Sequence, residues 1–243
     1  MRVTAKTDIG KGRSANQDSY SAGELPGGVA WAVVCDGMGG ANGGNVASSV
    51  SVRMISHSID EGYRNGMRPS SIRNMLESAI SGANACVFDM AKNDETLTGM
   101  GTTCVAALIA DGMVYISHVG DSRAYIISKG GTLRQLTRDH SVVQNLLETG
   151  SITSEEAKNY PGKNIITRAL GVEETVCVDF CEEEFSQDDI LLICTDGLTN
   201  FVSDEDIINA TSDGRYFEYA ERLVELANSH GGGDNITVVS ISA

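Results

Sequence analysis

Proline is scarce in this chain, 3 in 243 residues, so its turns depend on the conformational freedom of its 27 glycines rather than on proline stiffness. Basic residues are also few: 18 Lys and Arg stand against 33 Asp and Glu, a formal charge of −15. That balance excludes a chain built to wrap nucleic acid or to lie on an anionic membrane, because both need a basic footprint. No apolar run approaches the roughly 18 residues of a membrane span; the longest are VAALIA and ILLIC. The N-terminus, MRVTAKTDIGKGRS, has no apolar core of the kind a secretory signal carries. No Cys-x-x-Cys pair occurs. The cysteines (Cys35, Cys86, Cys104, Cys177, Cys181 and Cys194) stand singly, mostly in apolar strand-like runs. They read as reduced, small buried hydrophobes of a cytoplasmic protein. The 4 histidines are too scattered for a zinc cage. There is no repeat, charge block or Pro- or Ser-rich linker, so residues 1–243 read as one domain.

What is present is a real core, with 41% hydrophobic residues. Strand signals dominate. SYSAGEL and GVAWAVVC flank Pro26-Gly27-Gly28, and TTCVAALIA and MVYISHV flank Asp111-Gly112; both read as hairpins. VTAKTDI, RAYIIS, TVCVDF, DILLICT and NITVVSIS read as further strands. Helical periodicity marks residues 45–59 and the run from Ile72 to Val87. Residues 141–149 form a short helix stopped by Gly150, and Thr153 with Glu156 is a capping box. Ser203–Thr211 is a short acidic helix, and 216–229 presents Phe217, Ala220, Leu223, Val224 and Ala227 on one face. Hairpins with interposed helices predict an α+β fold, a β-sandwich of two antiparallel sheets covered by helices. Residues 141–174 are poorer in apolar content and read as an appended flap.

The informative residues are aspartates at strand ends. The apolar run Trp31–Cys35 ends in Asp36-Gly37, and Ile190–Thr195 ends in Asp196-Gly197. A hairpin centred on Gly27 places Asp18 opposite Asp36, with their Cβ atoms about 4.5–5.5 Å apart. Asp234 precedes its strand whereas Asp196 follows its own, so antiparallel neighbours would bring the two together. Asp121, at the tip of Gly120-Asp121-Ser122-Arg123, is a fifth candidate. Carboxylates placed together repel and need a neutralising charge. Oxygen-only ligands suit Mg²⁺, Mn²⁺ or Ca²⁺ rather than zinc. A single Asp is an ordinary turn residue, and Asp111-Gly112 and Asp213-Gly214 read as plain turns.

Other residues have bland readings. Arg13 can grip a phosphate bidentately, or be a solvated loop charge. Gly39-Gly40 and Gly43-Gly44 match no nucleotide fingerprint and read as tight turns. His118 reads as a core histidine, His140 as an organiser of the loop into the flap, and Arg123 as the partner of a nearby carboxylate.

Eight segments, in order, carry a family resemblance: TDIGKGRSANQDSY, VVCDGMGGANGG, GTTCVAAL, HVGDSRAY, LTRDHS, ITRALG, LICTDGL and GGGDNITVV. Together they resemble bacterial members of the type-2C, metal-dependent protein Ser/Thr phosphatase (PPM) family over nearly the whole chain. The resemblance implies a four-layer αββα sandwich with helices on both outer faces and a metal cluster at one end. It implies two Mn²⁺ or Mg²⁺ ions bridged by Asp36, with the Gly37 carbonyl, Asp196 and Asp234 completing one shell and Asp18 holding the other through water. Asp121 with Asp196 would hold a third, weaker ion, and Arg13 would grip the substrate phosphate. The implied reaction is hydrolysis of phosphoserine and phosphothreonine in proteins by direct attack of a metal-bridging hydroxide. A cognate Ser/Thr kinase is implied as partner, and the chain is expected to act as a monomer. One departure matters: Ala41-Asn42 follows the double glycine where bacterial members often carry a histidine, so no protein general acid is named. A non-catalytic metal-binding module and a Ca²⁺-stabilised domain remain the competing readings.

Overall fold

A computed structural model describes residues 1–39, 43–158 and 160–242. In chain order the strands are β1 (Arg2–Asp8), β2 (Asp18–Leu25), β3 (Val29–Met38), β4 (Gly101–Thr102), β5 (Cys104–Ala110), β6 (Met113–Val119), β7 (Arg123–Ile127), β8 (Leu133–Gln135), β9 (Asp179–Glu184), β10 (Ile190–Cys194) and β11 (Ile236–Ser242). The helices are α1 (Gly43–Gly62), α2 (Pro69–Asn93), α3 (Val142–Glu148), α4 (Ser154–Lys158), α5 (Asp196–Thr199), α6 (Asp204–Ala210) and α7 (Tyr219–Ser229). One sheet runs β1-β11-β10-β7-β8; the other runs β2-β3-β5-β6-β9, with β4 beside β3. Every pairing between these strands is antiparallel.

Three apolar layers follow from strand alternation. In β3, Val29, Trp31, Val33 and Cys35 face Ile55, Ile59 and Leu76 of α1 and α2. Ala30, Ala32 and Val34, one residue out of phase, face Leu191, Ile193, Val239 and Ile241 of the other sheet. The central strands therefore bury both faces, which is why GVAWAVVC and ILLIC read as unbroken apolar runs. On the outer face of the sheet that contains β10 and β11, Leu192, Cys194 and Val238 pack on Leu198, Ile207, Leu223 and Val224 of α5, α6 and α7. The expected sandwich of two antiparallel sheets between helices is thus observed.

Local signals hold in detail. The capping box opens α4: Thr153 N–H donates to Glu156 Oε2 at 2.8 Å and Glu156 N–H to Thr153 Oγ1 at 3.3 Å. Ser141 Oγ caps α3, and Gly150 follows it at φ 66°. Four expectations need correction. The strand read as TVCVDF begins only at Asp179 and continues to Glu184; ahead of it, Asn84 of α2 ties down the Glu173 and Glu174 carbonyls. Gly43 and Gly44 are not a turn but open α1, with Gly44 seated on the backbone of Gly37. Phe217 lies 74% exposed in a 3₁₀ turn before α7, because the helical face begins at Tyr219. The end of the expected flap is core, since Leu170 is fully buried in the same apolar cluster as Val33 and Ala83. Gly40, Ala41 and Asn42 lie outside the described residues.

The cysteines are all free; Cys35, Cys104 and Cys194 are buried, and Cys177 is exposed. No helix among the described residues is long and apolar enough to cross a membrane.

Leu191 tests the inter-sheet layer. Leu191→Ala removes the Cγ and both Cδ carbons from a fully buried site and should cost about 2–5 kcal/mol, read as a lower urea midpoint at unchanged m-value.

Candidate metal centre

The inner faces of the two sheets end together, and polar residues replace the apolar layer there. Asp18 and Asp36 are direct cross-strand partners, as the hairpin centred on Gly27 requires. Asp36 continues the inward phase of Ala30, Ala32 and Val34. β10 and β11 are antiparallel neighbours, so Asp196 at the end of one meets Asp234 at the start of the other. Asp121 enters from the β6–β7 turn, where Gly120 adopts φ +105°. Asp36, Asp121, Asp196 and Asp234 line one cleft of about 230 Å³, together with Arg13, Gly37 and Asn164. A larger hollow of about 410 Å³ lies at the opposite end of β7 and β10 and contains no such cluster.

Asp18 sits behind this cleft. Its Oδ2 accepts hydrogen bonds from Thr195 Oγ1 at 2.9 Å and Thr237 Oγ1 at 2.7 Å, both from the opposite sheet. Its Oδ1 is buried without a partner. Burial, opposed by those two hydroxyls and reinforced by Asp196 and Asp234, pushes its pKa up to about 7. Burial also lifts Asp36 well above the carboxylate range, and Asp18, Asp196, Asp121 and Asp234 add to it. Asp121 is pushed up to about 7 by burial and by Asp196 and Asp139. Asp196 is raised by burial and by Asp234, against a hydrogen bond from Asn200 Nδ2 at 3.0 Å.

Backbone geometry brings these groups close. A Cβ on Gly37 would collide with the Gly44 and Gln17 carbonyls, and one on Gly197 with the Asn235 carbonyl. Asp36 is further pinned at its main chain: its N–H donates to Thr103 Oγ1 at 2.9 Å, and its C=O accepts from Thr103 N–H at 2.9 Å. Asn235 ties the N-terminal loop down by donating to the Ile9 and Ala15 carbonyls and accepting from Gln17 N–H. That loop carries Arg13, whose Nε and Nη2 reach Asp234 Oδ1 and Oδ2 at 2.7 and 2.8 Å. Arg123 pairs with Asp139, as its bland reading expected.

The donor set fits a hard divalent cation. It is all oxygen, it includes a buried carboxylate atom with nothing to bind, and burial, then repulsion between neighbouring carboxylates, raises the pKa values of Asp18, Asp36, Asp121 and Asp196. The sequence reading named all five aspartates and Arg13. It missed Thr195, Thr237, Thr103 and Asn235. The one available signal was adjacency, since Thr195 and Asn235 directly flank Asp196 and Asp234.

A second group, His118, His140 and Asp179, also gathers within 4.8 Å. His118 is buried as expected, but its Nδ1 has no partner. His140 does lie at the entry to the flap, where its C=O accepts from Thr167 N–H at 2.7 Å.

The comparisons with known proteins agree with this geometry. The family model for protein phosphatase 2C matches residues 9–236. The serine/threonine phosphatase stp of Listeria welshimeri is 41% identical over 242 residues, covering 99% of this chain and 95% of that one. The solved serine/threonine phosphatase of S. agalactiae superposes with a TM-score of 0.92 at 35% identity, over 100% of this chain and 99% of that one. The catalytic domain of the phosphatase PstP, solved in complex with 2 manganese ions, superposes with a TM-score of 0.85 at 36% identity, over 98% of this chain and 96% of that one. Fold, donor set and relatives define the class: a metal-dependent phosphatase on a helix-flanked β-sandwich. Within that class, the chain belongs to the protein phosphatase 2C family.

The clustered carboxylates make a stability prediction for the metal-free protein. A carboxyl whose pKa is raised on folding holds its proton more tightly in the folded chain. That stabilisation is full below about pH 4, the unfolded value, and is lost as the pH rises to about 7. With a chelator present, Tm should therefore fall between pH 5 and pH 7.5, and Asp36→Asn should raise Tm at pH 7.5 by at least about 3 °C. An unchanged Tm in this variant would show that the carboxylates are not repelling one another.

Proposed function

We propose that this chain hydrolyses phosphoserine and phosphothreonine in proteins, using a pair of Mn²⁺ or Mg²⁺ ions held at the Asp36 cluster. The observation that carries the reading is the convergence of Asp36, Asp121, Asp196 and Asp234 with one arginine in a single cleft. Asp36 would bridge the two ions, with the Gly37 carbonyl, Asp196 and Asp234 serving one of them and Asp18, set back from the cleft, serving the other through water. Asp121 with Asp196 would hold a third, weaker ion. When bound, such a pair supplies an activated water and neutralises phosphoryl charge.

The chain's own residues do the rest. The Arg13 guanidinium has a planar fork that matches either a carboxylate or a phosphoryl group. It spans both oxygens of Asp234; once that carboxylate serves a cation, the fork is free for the substrate's phosphoryl oxygens. Thr195 and Thr237 fix the rotamer of Asp18, and Thr103 fixes the backbone of Asp36, so the carboxylates are positioned before substrate arrives. Among the described residues no cysteine lines the cleft, which supports direct attack of water on phosphorus without a covalent phosphoenzyme. No histidine lines it among the described residues, so solvent supplies the proton to the departing serine or threonine oxygen. Residues 141–174 would form the flap beside the cleft, anchored in the core at Leu170 and contributing Asn164 and Ile166 to the cleft wall. The substrates must first be phosphorylated, which supports a cognate Ser/Thr kinase as partner. Free cysteines throughout support a reducing, cytoplasmic setting for a monomeric enzyme.

Asp36→Ala and Asp234→Ala should each lower Mn²⁺-dependent hydrolysis of p-nitrophenyl phosphate at least about 100-fold; full turnover in either purified variant would defeat the assignment. Manganese binding without turnover in the unaltered chain would favour the non-catalytic module. Arg13→Ala should raise KM for small phosphates about tenfold or more, and an unchanged KM would remove Arg13 from the phosphate site.

A further inference from the structure

The turn that carries Asp121 is held by a buried side chain some twenty residues away. Gly120 donates its N–H to His140 Nδ1 at 3.0 Å and accepts from His140 N–H at 2.9 Å. Both main-chain polar groups of the residue before Asp121 thus end on His140, which is only 2% exposed. The same residue grips the segment that walls the cleft. Its C=O accepts from Thr167 N–H at 2.7 Å, and its Nε2 faces Asp179 Oδ2 at 3.2 Å. Asp179 Oδ1 in turn accepts from Arg168 Nη1 at 2.6 Å. His140, Asp179, Arg168 and Thr167 therefore close a ring of contacts, with Ile166 and Asn164 next along the chain and in the cleft wall.

The hydrogen bonding decides what this cluster can do. A backbone N–H can only donate, so His140 Nδ1 is an acceptor and the ring proton sits on Nε2, which lies 3.2 Å from Asp179 Oδ2 without a hydrogen-bonded partner. A metal ion at Nε2 would need a lone pair there as well, and a neutral imidazole has one on a single nitrogen only. The group of His118, His140 and Asp179 is thus a packed cluster around a fixed imidazole rather than an ion site. Burial drives the His140 pKa down to about 4, so the ring stays neutral and this tautomer persists at neutral pH. His118 stacks on it at 5.0 Å with the rings 16° from parallel, which holds the ring plane.

We propose that His140 is a positioning residue that locks the Asp121 turn to the cleft-wall segment 164–168, setting the Asp121 carboxylate for the weaker divalent ion. The proposal rests on the reading of Asp121 as an ion ligand given above. The imidazole's two nitrogens do separate jobs, and two substitutions divide them. In His140→Asn, Oδ1 takes the place of Nδ1 and still accepts from Gly120, but nothing reaches Asp179. In His140→Gln, the terminal amide takes the place of Nε2 and still meets Asp179, but Gly120 N–H loses its acceptor.

The test is Mn²⁺ binding to the full chain by titration calorimetry, with Asp121→Asn as reference. Asp121→Asn should abolish the weak class of sites and leave the tight class unchanged. His140→Gln should weaken the weak class about tenfold or more, and His140→Asn should keep it within about twofold. Equal effects of the two His140 variants on the weak class, alongside its loss in Asp121→Asn, would overturn the positioning role while leaving the Asp121 reading intact. An unchanged weak class in Asp121→Asn would overturn both. A purely structural histidine would lower Tm in both variants without separating their ion affinities. Should His140→Gln not fold, amide exchange in the unaltered chain decides: Mn²⁺ in the weak-site range should slow the Gly120 and Thr167 amides together, and independent behaviour would defeat the coupling.

Discussion

Mutual repulsion among buried carboxylates is the constraint around which this molecule is organised. Asp18, Asp36, Asp121 and Asp196 all hold protons more tightly than free carboxylic acids, chiefly because burial penalises their charge and then because they face one another. A folded chain tolerates such a cluster only where the surrounding packing is strong enough to hold it. Here the holding element is the sandwich itself. The inter-sheet layer of Ala30, Ala32, Val34, Leu191, Ile193 and Val239 runs straight into the acidic end. The sheets cannot splay there without losing their common core.

The polar residues around the cluster work in the same direction. Thr195 and Thr237 reach across from one sheet to Asp18 of the other, so the deepest carboxylate is also a cross-link between layers. Gly37 against Gly44, and Gly197 against Asn235, allow backbones to meet where any side chain would force them apart. Close approach at these positions explains why Asp36 and Asp196 are each followed by glycine after the apolar strands that deliver them. Arg13 supplies the nearest positive charge, on a loop anchored by Asn235 rather than on a strand. A loop position at the rim of the aspartate cluster suits a group that exchanges one anionic partner for another.

The cleft also has a wall that is not part of the sandwich. Segment 164–168 is joined to the β6–β7 turn through His140 and to the edge strand β9 through Arg168 and Asp179. The acidic end and this wall of the cleft are therefore one hydrogen-bonded unit. Leu170, buried beneath α2, anchors the far end of that segment in the core.

Sequence by itself determined the layers and the acidic strand ends. Alternation and glycine-centred hairpins act locally, so the Asp18–Asp36 register could be read from the loop length around Gly27 alone. Unbroken apolar runs announced strands buried on both faces, and the Thr153–Glu156 box announced its helix. Local signals failed where a distant partner took over. Asn84 holds residues 173–174 and delays the strand to Asp179; Gly44 opens a helix because it rests on Gly37; Phe217 falls outside the helical face. Only the tertiary structure decided that Thr195 and Thr237 share Asp18, that Arg13 meets Asp234, and that His140 answers Gly120. Each of these contacts joins residues far apart in the chain through atoms whose direction depends on packing, and no periodicity or spacing encodes that direction.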